Sequence, residues 1–387
     1  MHQKIAFLYL NTGGGHVGPA RSLAHEMERL YPGEVSSFPH NGFTDRMRVA
    51  RSIFEDGYRI STNYFEPGYV LFYGISSRTW FIEAGNYLVS LKGVPALARF
   101  FRENGITKVV CLHEILILMA RQAINRVNPS IPLITLVTDP FTAHGLWFYE
   151  KRTELVVFSE KLRREAESRY KFPAERLHVF PFMLSHVYDR PYRPAEVQAA
   201  RLRLGIPEGR KVLLIAGGGE GLKGADRIVS LFVKRRYPHT LIVVCGRNRL
   251  LKLHIERRAE RMKGMDIRAL GFVSCMPDLL NVADCVITKG GASTVMEVMS
   301  VGKPVIFSTF IRGQELGNVL HAVKNGAGWL IRSPQAILDK ASEILDDPRI
   351  AARMEGNLAR AGLRNGLEKV ARYIHDYRGP ADPVNDK

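Results

Sequence analysis

The sequence contains no CxxC pair, no His-Glu-x-x-His, no Asp-x-Asp and no zinc-finger spacing of cysteine with histidine. These absences remove the usual signatures of a dithiol redox centre and of a dedicated metal site. The four cysteines, Cys111, Cys245, Cys275 and Cys285, are scattered. Three of them lie in or beside apolar strand-like runs, so buried thiols in a reducing compartment are expected. No apolar run approaches the ~20 residues that span a bilayer, and Met-His-Gln-Lys leads directly into a strand, which reads as the absence of a signal peptide. The expected location is the cytoplasm, with the protein free or peripheral on the inner face of the cell membrane. Acidic residues are scarce beside basic ones, 38 Asp and Glu against 55 Lys and Arg, for a net charge of +17. Such a balance suits nucleic acid, an anionic membrane or a merely basic solvated surface. No zinc, RNP-type or basic-zipper pattern supports nucleic acid, whereas each cation near an anionic bilayer contributes about 1 kcal/mol.

At 387 residues the chain exceeds one ordinary domain and suggests two. Lys4 to Leu10 reads as an apolar strand. It runs into Gly13-Gly14-Gly15-His16 and then a helix from Pro19 to Leu30, with Leu23, Met27 and Leu30 on one face. The arrangement recurs as a strand from Val212 to Ala216, a loop from Gly217 to Gly221 and a helix from Ala225. Further short apolar runs alternate with helical stretches: Val109–Leu112, Leu133–Thr138 and Leu155–Ser159, then Leu241–Cys245, Ile267–Leu270, Val282–Ile287 and Val305–Ser308. This is an α/β pattern of two Rossmann-like halves, each presenting a glycine loop at the carboxyl edge of a parallel sheet. The expected domains are 1–190 and 195–378, joined through the Pro-rich Arg190–Pro194, with a disordered tail over 379–387. The segment from Arg46 to Arg102 lacks strand rhythm and mixes arginines with Phe54, Tyr58, Tyr64, Phe65, Tyr69, Phe72, Tyr73, Trp80, Phe81 and Tyr87. It is either a face for the headgroup level of a membrane or a ligand-lining helical insertion with an ordinary core.

The most informative stretch is Thr288-Lys-Gly-Gly-Ala-Ser-Thr-Val-Met-Glu297, followed by Gly313-Gln-Glu-Leu-Gly-Asn318. A strand ends in the turn Gly290-Gly291-Ala292, and Ser293 and Thr294 open a helix whose N-terminus favours a phosphate. Glu297 falls one helical turn after Ser293, on the same face, where its carboxylate reaches a ribose diol. Gln314, Glu315 and Asn318 follow the next strand and suit a second polyhydroxyl group. A diphosphate between two sugars is a nucleotide-sugar. The competing reading is a glycine turn that merely caps a core helix.

Transfer from such a donor needs a phosphate cradle, hydroxyl readers, a base and stabilisation of the leaving diphosphate. Gly14 and Gly15 form the first glycine loop, and His16 beside them is either a base for an acceptor hydroxyl or a helix cap or phosphate ligand. Asp139 at a strand end, with His144 and Trp147 soon after, acts as base, orients a histidine or caps a turn. Gly218 and Gly219 allow close backbone approach, while Glu220 reads an acceptor or donor hydroxyl. Arg247 follows a strand and reaches the nucleotide, and Phe272 with Val273 packs against a base; a surface ion pair and a core aromatic are the plain alternatives. With no metal set in view, leaving-group charge falls to helix dipoles and cations such as Arg247.

Together the motifs resemble the monogalactosyldiacylglycerol synthases and processive diacylglycerol glucosyltransferases, of the glycosyltransferase family 28 type. The matching pieces, in order, are GGGH at 13–16, VTD at 137–139 with His144 and Trp147, GGGEG at 217–221, CGRN at 245–248, GFV at 271–273, TKGG…E at 288–297 and GQELGN at 313–318. The resemblance implies a GT-B fold, two Rossmann-like domains facing a cleft, with the C-terminal helix crossing back. It implies an N-terminal domain for acceptor and membrane and a C-terminal domain for a UDP-sugar. The implied reaction is inverting transfer of galactose or glucose to the sn-3 hydroxyl of 1,2-diacylglycerol, with no cofactor and no metal. His16 and Asp139 fall on the catalytic side, Glu297 on the ribose, Gln314 and Glu315 on the sugar. The loop Gly14-Gly-His-Val-Gly-Pro-Ala20 is also similar to that of the peptidoglycan enzyme that adds N-acetylglucosamine to a polyprenyl-linked intermediate. That transferase, another nucleotide-sugar enzyme such as a 2-epimerase, and a non-catalytic UDP-sugar or membrane binder are the alternatives.

Overall fold

The computed structural model describes residues 2–12, 14–43, 47, 51–57, 74 and 79–379. They form two compact units, one from Met1–Ser185, Arg312–Gln314 and Asn365–Lys387, the other from His186–Ile311 and Glu315–Arg364. The first unit runs β1 (Gln3–Tyr9), α1 (Gly14–Leu30), β2 (Val35–Asn41), α2 (Thr79–Asn104), β3 (Lys108–Cys111), α3 (Leu116–Val127), β4 (Leu133–Leu136), β5 (Glu154–Val157), α4 (Glu160–Ser168) and β6 (Leu177–Val179). The second runs α5 (Pro194–Arg203), β7 (Val212–Ala216), α6 (Ala225–Lys234), β8 (Thr240–Val244), α7 (Arg249–Arg261), β9 (Ile267–Leu270), α8 (Met276–Val282), β10 (Cys285–Lys289), α9 (Ala292–Ser300), β11 (Val305–Thr309), α10 (Leu316–Lys324), β12 (Gly328–Leu330), α11 (Pro334–Asp346) and α12 (Pro348–Ala361). The chain then returns to the first unit as α13 (Leu367–Asp376).

Each unit holds one six-stranded sheet, ordered β2-β1-β3-β4-β5-β6 and β12-β11-β10-β7-β8-β9. All pairings are parallel. The central strands β3, β4, β5, β7 and β8 are buried along their whole length. Helices cover both faces of such a sheet, so these strands read as continuous apolar runs without alternation. The runs that the sequence flags are therefore mostly the central ones, with β9 a flagged run at an edge. β2, β6 and β12 are not flagged, and all three are edge strands. β2 carries Pro39 and mostly half-buried residues, and β6 and β12 have three residues each, which is how edge strands are built.

Four boundaries differ from expectation. α1 begins at Gly14, so His16 lies in the first helical turn and not in a loop. Val282 closes a helix, and the strand that follows starts at Cys285. The expected C-terminal domain over 195–378 loses its last helix, which belongs to the first unit. The cause is a set of contacts with the start of that unit: Tyr31 stacks on His375 with centroids 3.6 Å apart. Gln3 Nε2 donates to the His375 carbonyl at 3.2 Å, and Lys108 Nζ donates to the Ile374 and His375 carbonyls. The unit change before His186 also precedes the expected linker at Arg190–Pro194.

As expected, Cys111, Cys245 and Cys285 are buried free thiols, and burial pushes Cys111 up to about 12 and Cys245 up to about 11. Among the described residues no helix is long and apolar enough to cross a membrane. Tyr58, Tyr64, Phe65, Tyr69, Phe72 and Tyr73 of the basic-aromatic segment, the side chains of Trp80 and Phe81, and the tail beyond Gly379 lie outside the described residues.

Candidate functional site

In an open parallel sheet, ligands bind beyond the carboxyl ends of the strands, where two neighbouring strands send their connections to opposite sides. The first sheet has this switch between β1 and β3, the second between β7 and β10. The segments leaving those four strands are Gly14–His16, Leu112–Glu114, Gly217–Gly221 and Gly290–Ala292. Three were flagged in the sequence. The fourth, Leu112-His113-Glu114, was not, because its one signal was a His-Glu pair after an apolar run.

In the first unit His16 is buried. Its Nδ1–H donates to the Leu112 carbonyl at 2.8 Å and meets the Thr138 hydroxyl oxygen at 2.9 Å. A carbonyl can only accept, so the proton sits on Nδ1 and the lone pair on Nε2. His113 packs against the same ring with centroids 4.4 Å apart. Burial, reinforced by His113, lowers the His16 pKa to about 4, and burial alone lowers His113 to about 3. Both imidazoles are neutral near pH 7. Gly14 and Gly15 sit just before, with open space where a side chain would project.

Asp139 is buried just after β4, and Gln314 Nε2 donates to its two oxygens at 3.3 and 3.4 Å. The catalytic candidates are thus linked through Thr138, a neighbour of Asp139 and a partner of His16. Two other expected contacts fall differently. Trp147 is fully buried in the hydrophobic core of this unit, stacked 6.4 Å from the His16 ring, and its Nε1 has no partner. It backs His16 and has no surface for an acceptor. His144 is buried and caps the turn Gly145–Phe148, its Nδ1 accepting from Leu146 N–H at 3.2 Å.

His16, His113 and Glu114 bring ligand atoms within 4.8 Å of one another, a grouping the sequence did not suggest. His113 Nδ1 accepts from Ile115 N–H at 3.3 Å and lies 3.4 Å from Glu114 Oε2, and its Nε2 meets the Thr12 hydroxyl at 3.1 Å.

In the second unit the loops interlock. Arg247 N–H donates to the Gly219 carbonyl at 2.8 Å. Gly246 has φ +60°, and a side chain there would overlap that same carbonyl, so only glycine allows the approach. Arg247 lies over the Phe272 ring at 5.9 Å and 3.9 Å from Glu220. Phe272 is 72% exposed, so it is an open platform and not a core aromatic. Val273 beside it is half-buried.

The helix α9 starts after Gly291, and its first backbone bond runs from Val295 N–H to the Gly291 carbonyl at 2.9 Å. The N–H groups of Ala292, Ser293 and Thr294 therefore precede the helical ladder, an arrangement that suits an anion. Glu297 lies one turn on, half-buried, and desolvation pushes its carboxyl up to about 7. Beneath the loop, Asn318 Nδ2 donates to the Gly290 carbonyl at 2.9 Å from an almost fully buried position. Asn318 braces the loop from below, whereas the sequence reading had it reach the donor.

Glu315 is buried as well, and both its oxygens are engaged, one by Lys289 Nζ at 2.5 Å and one by Ile311 N–H at 2.9 Å. Lys289 belongs to the flagged motif but was given no role there.

Residues 212–368 match the glycosyltransferase family 28 C-terminal domain. The chain is similar to monogalactosyldiacylglycerol synthase 1 of Arabidopsis thaliana, 24% identical over 87% of this chain and 63% of the relative. It is equally similar, at 24%, to the processive diacylglycerol beta-glucosyltransferase of Bacillus licheniformis, over 95% of this chain and 94% of that protein. It spans less than two thirds of the Arabidopsis and spinach relatives' own length, 63% and 66%. Among solved structures, MurG of Acinetobacter baumannii aligns with a TM-score of 0.62 at 15% identity, over 97% of this chain and all of that one. HepE of Anabaena, in complex with UDP-glucose, aligns with a TM-score of 0.59 at 16% identity, over 97% and 99%.

Proposed function

We propose that this chain, a GT-B protein whose residues 212–368 form a glycosyltransferase family 28 C-terminal domain, moves galactose or glucose from a UDP-sugar to the sn-3 hydroxyl of 1,2-diacylglycerol with inversion. The observation that carries the reading is the second switch point. There the Gly217–Gly221 loop, the start of α9 and Lys289 meet at the carboxyl ends of β7 and β10. A backbone cradle at a helix N-terminus suits a diphosphate, Glu297 beside it suits a ribose diol, and the Arg247–Phe272 pair suits a flat base. The relatives' names support a diacylglycerol acceptor.

In this scheme the acceptor O–H passes its proton to His16 Nε2 as the oxygen bonds to the anomeric carbon. The carbon–oxygen bond to the diphosphate breaks on the opposite face, its electron pair leaves with UDP, and the configuration inverts. Neutrality of His16 at pH 7 keeps the base free. Tethering of Nδ1–H to Leu112 and Thr138 keeps the accepting lone pair on Nε2. Asp139, held by Gln314, is the second candidate for base or for orienting group.

The test is a radiolabelled transfer assay with purified protein and diacylglycerol in anionic mixed vesicles. UDP-galactose and UDP-glucose are supplied in separate tubes. A labelled organic-phase product from one donor establishes the reaction and identifies the sugar. No lipid product, with UDP still bound, moves the acceptor to a polyprenyl-linked sugar or leaves a binder without turnover.

A further inference from the structure

The geometry points to Lys289 as the cation that receives the donor's diphosphate, with Glu315 as the residue that positions it. This rests on the nucleotide-sugar reading above and adds to it a leaving-group residue, a role the sequence had given to Arg247. Lys289 is the last residue of β10, at the switch between β10 and β7. A methyl group placed on Gly218 would lie 3.6 Å from its Cε, and one placed on Gly291 would lie 3.7 Å from its Nζ. Both glycine loops therefore converge on this one side chain, and their lack of side chains keeps the space beside the ammonium open.

The ion pair with Glu315 is asymmetric. Side-chain exposure is 31% for Lys289 and 7% for Glu315. Glu315 Oε1 also borders Gly291, 3.6 Å from a methyl placed there, but the ammonium is the more open of the two groups, and the carboxylate is fixed by Ile311 N–H. The pair is neutral as a whole, but its open face is cationic and lies beside the unladdered N–H groups at the start of α9. A lysine alone would swing on four methylenes; the buried carboxylate holds this one at the site in advance, so little side-chain ordering remains to be done on binding. Arg247 also borders the first loop, its Nη2 3.2 Å from a methyl placed on Gly219, but it lies over Phe272 and 3.9 Å from Glu220 and is not among the residues that Gly291 faces. Glu315, read from the sequence as a sugar-hydroxyl contact, already accepts one bond on each oxygen, from Lys289 and from Ile311 N–H.

The experiment is calorimetric binding of UDP and of uridine to the full chain. Uridine shares every contact except the diphosphate's. Lys289→Met is expected to weaken UDP about ten-fold or more, the scale of one lost charge-assisted bond, and to leave uridine unchanged. Because that variant strands a buried carboxylate, the double variant Lys289→Met/Glu315→Gln is measured beside it and is expected to show the same selective loss. Glu315→Gln alone keeps the ammonium and is expected to bind UDP within about three-fold of the parent. UDP affinity unaltered in the double variant, or an equal loss for uridine, overturns the assignment to the diphosphate. A loss in Glu315→Gln as large as in Lys289→Met overturns the division of roles. A parent protein that binds neither ligand refutes the nucleotide-sugar reading itself.

Discussion

His16 is neutral because burial beside His113 makes a positive charge costly, and its free lone pair is directed by what its other nitrogen holds. The expected consequence is that His16→Ala or Asp139→Ala lowers turnover by about 10²–10⁴-fold, the span of one positioned general base, while UDP binds as before. Unchanged turnover in both purified variants would remove the assignment. The same cost of burying a charge shifts Glu297 in the opposite direction. Burial raises its carboxyl to about 7, and only the ionised form accepts two hydroxyl protons from a ribose. UDP affinity should therefore rise as pH climbs through 7, and Glu297→Gln should abolish that rise; a calorimetric pH profile that stays flat in the parent removes the ribose role. The same two histidines tell on folding. Their folded pKa values, about 4 and about 3, lie below the ordinary 6.5, so the unfolded chain binds more protons across that window. Their contribution to stability is present above pH 6.5 and is lost as pH falls through it towards 3.

At the scale of elements, α13 returns across the chain because Lys108 waits for it. The Lys108 amine reaches Gln3 Oε1 at 2.9 Å and the carbonyls that end the helix. A cation is favoured there by the helix dipole, although burial pushes the amine down to about 7. Lys108→Met takes the donor from Gln3 Oε1 and the Ile374 carbonyl, while the His375 carbonyl keeps Gln3 Nε2, at a cost of about 1–3 kcal/mol. Faster hydrogen exchange confined to residues 367–376 is the expected sign, and protection equal to the parent's would show the helix docks without this contact. Element boundaries in the sequence match residue for residue at β7, a central apolar strand, and at β9, an edge strand. The edge strands β2, β6 and β12 went unseen because β2 is largely polar and β6 and β12 have only three residues each.

For the whole molecule, the net charge of +17 and the helix α2 bear on partners. Tyr87 and Leu91 lie one helical turn apart on α2 and are both exposed, with exposed Lys92 and Arg99 nearby. We expect anionic vesicles to bind the protein more tightly than neutral ones, with salt weakening the attachment. Flotation that ignores both lipid charge and salt would contradict this. The sequence by itself determined the α/β class, the two glycine-loop halves and three of the four segments at the two switch points. Those signals are local: apolar runs long enough to be strands, and glycines and hydroxyls placed where a helix begins. It could not supply strand order, and strand order is what sets β3 beside β1 and β10 beside β7. Only that neighbouring brings His113 onto His16, carries Lys289 to the Gly218 loop and turns Glu315 inward. A parallel sheet joins strands through crossovers of many residues, so which strand ends become neighbours is decided by packing across the chain and not by spacing along it.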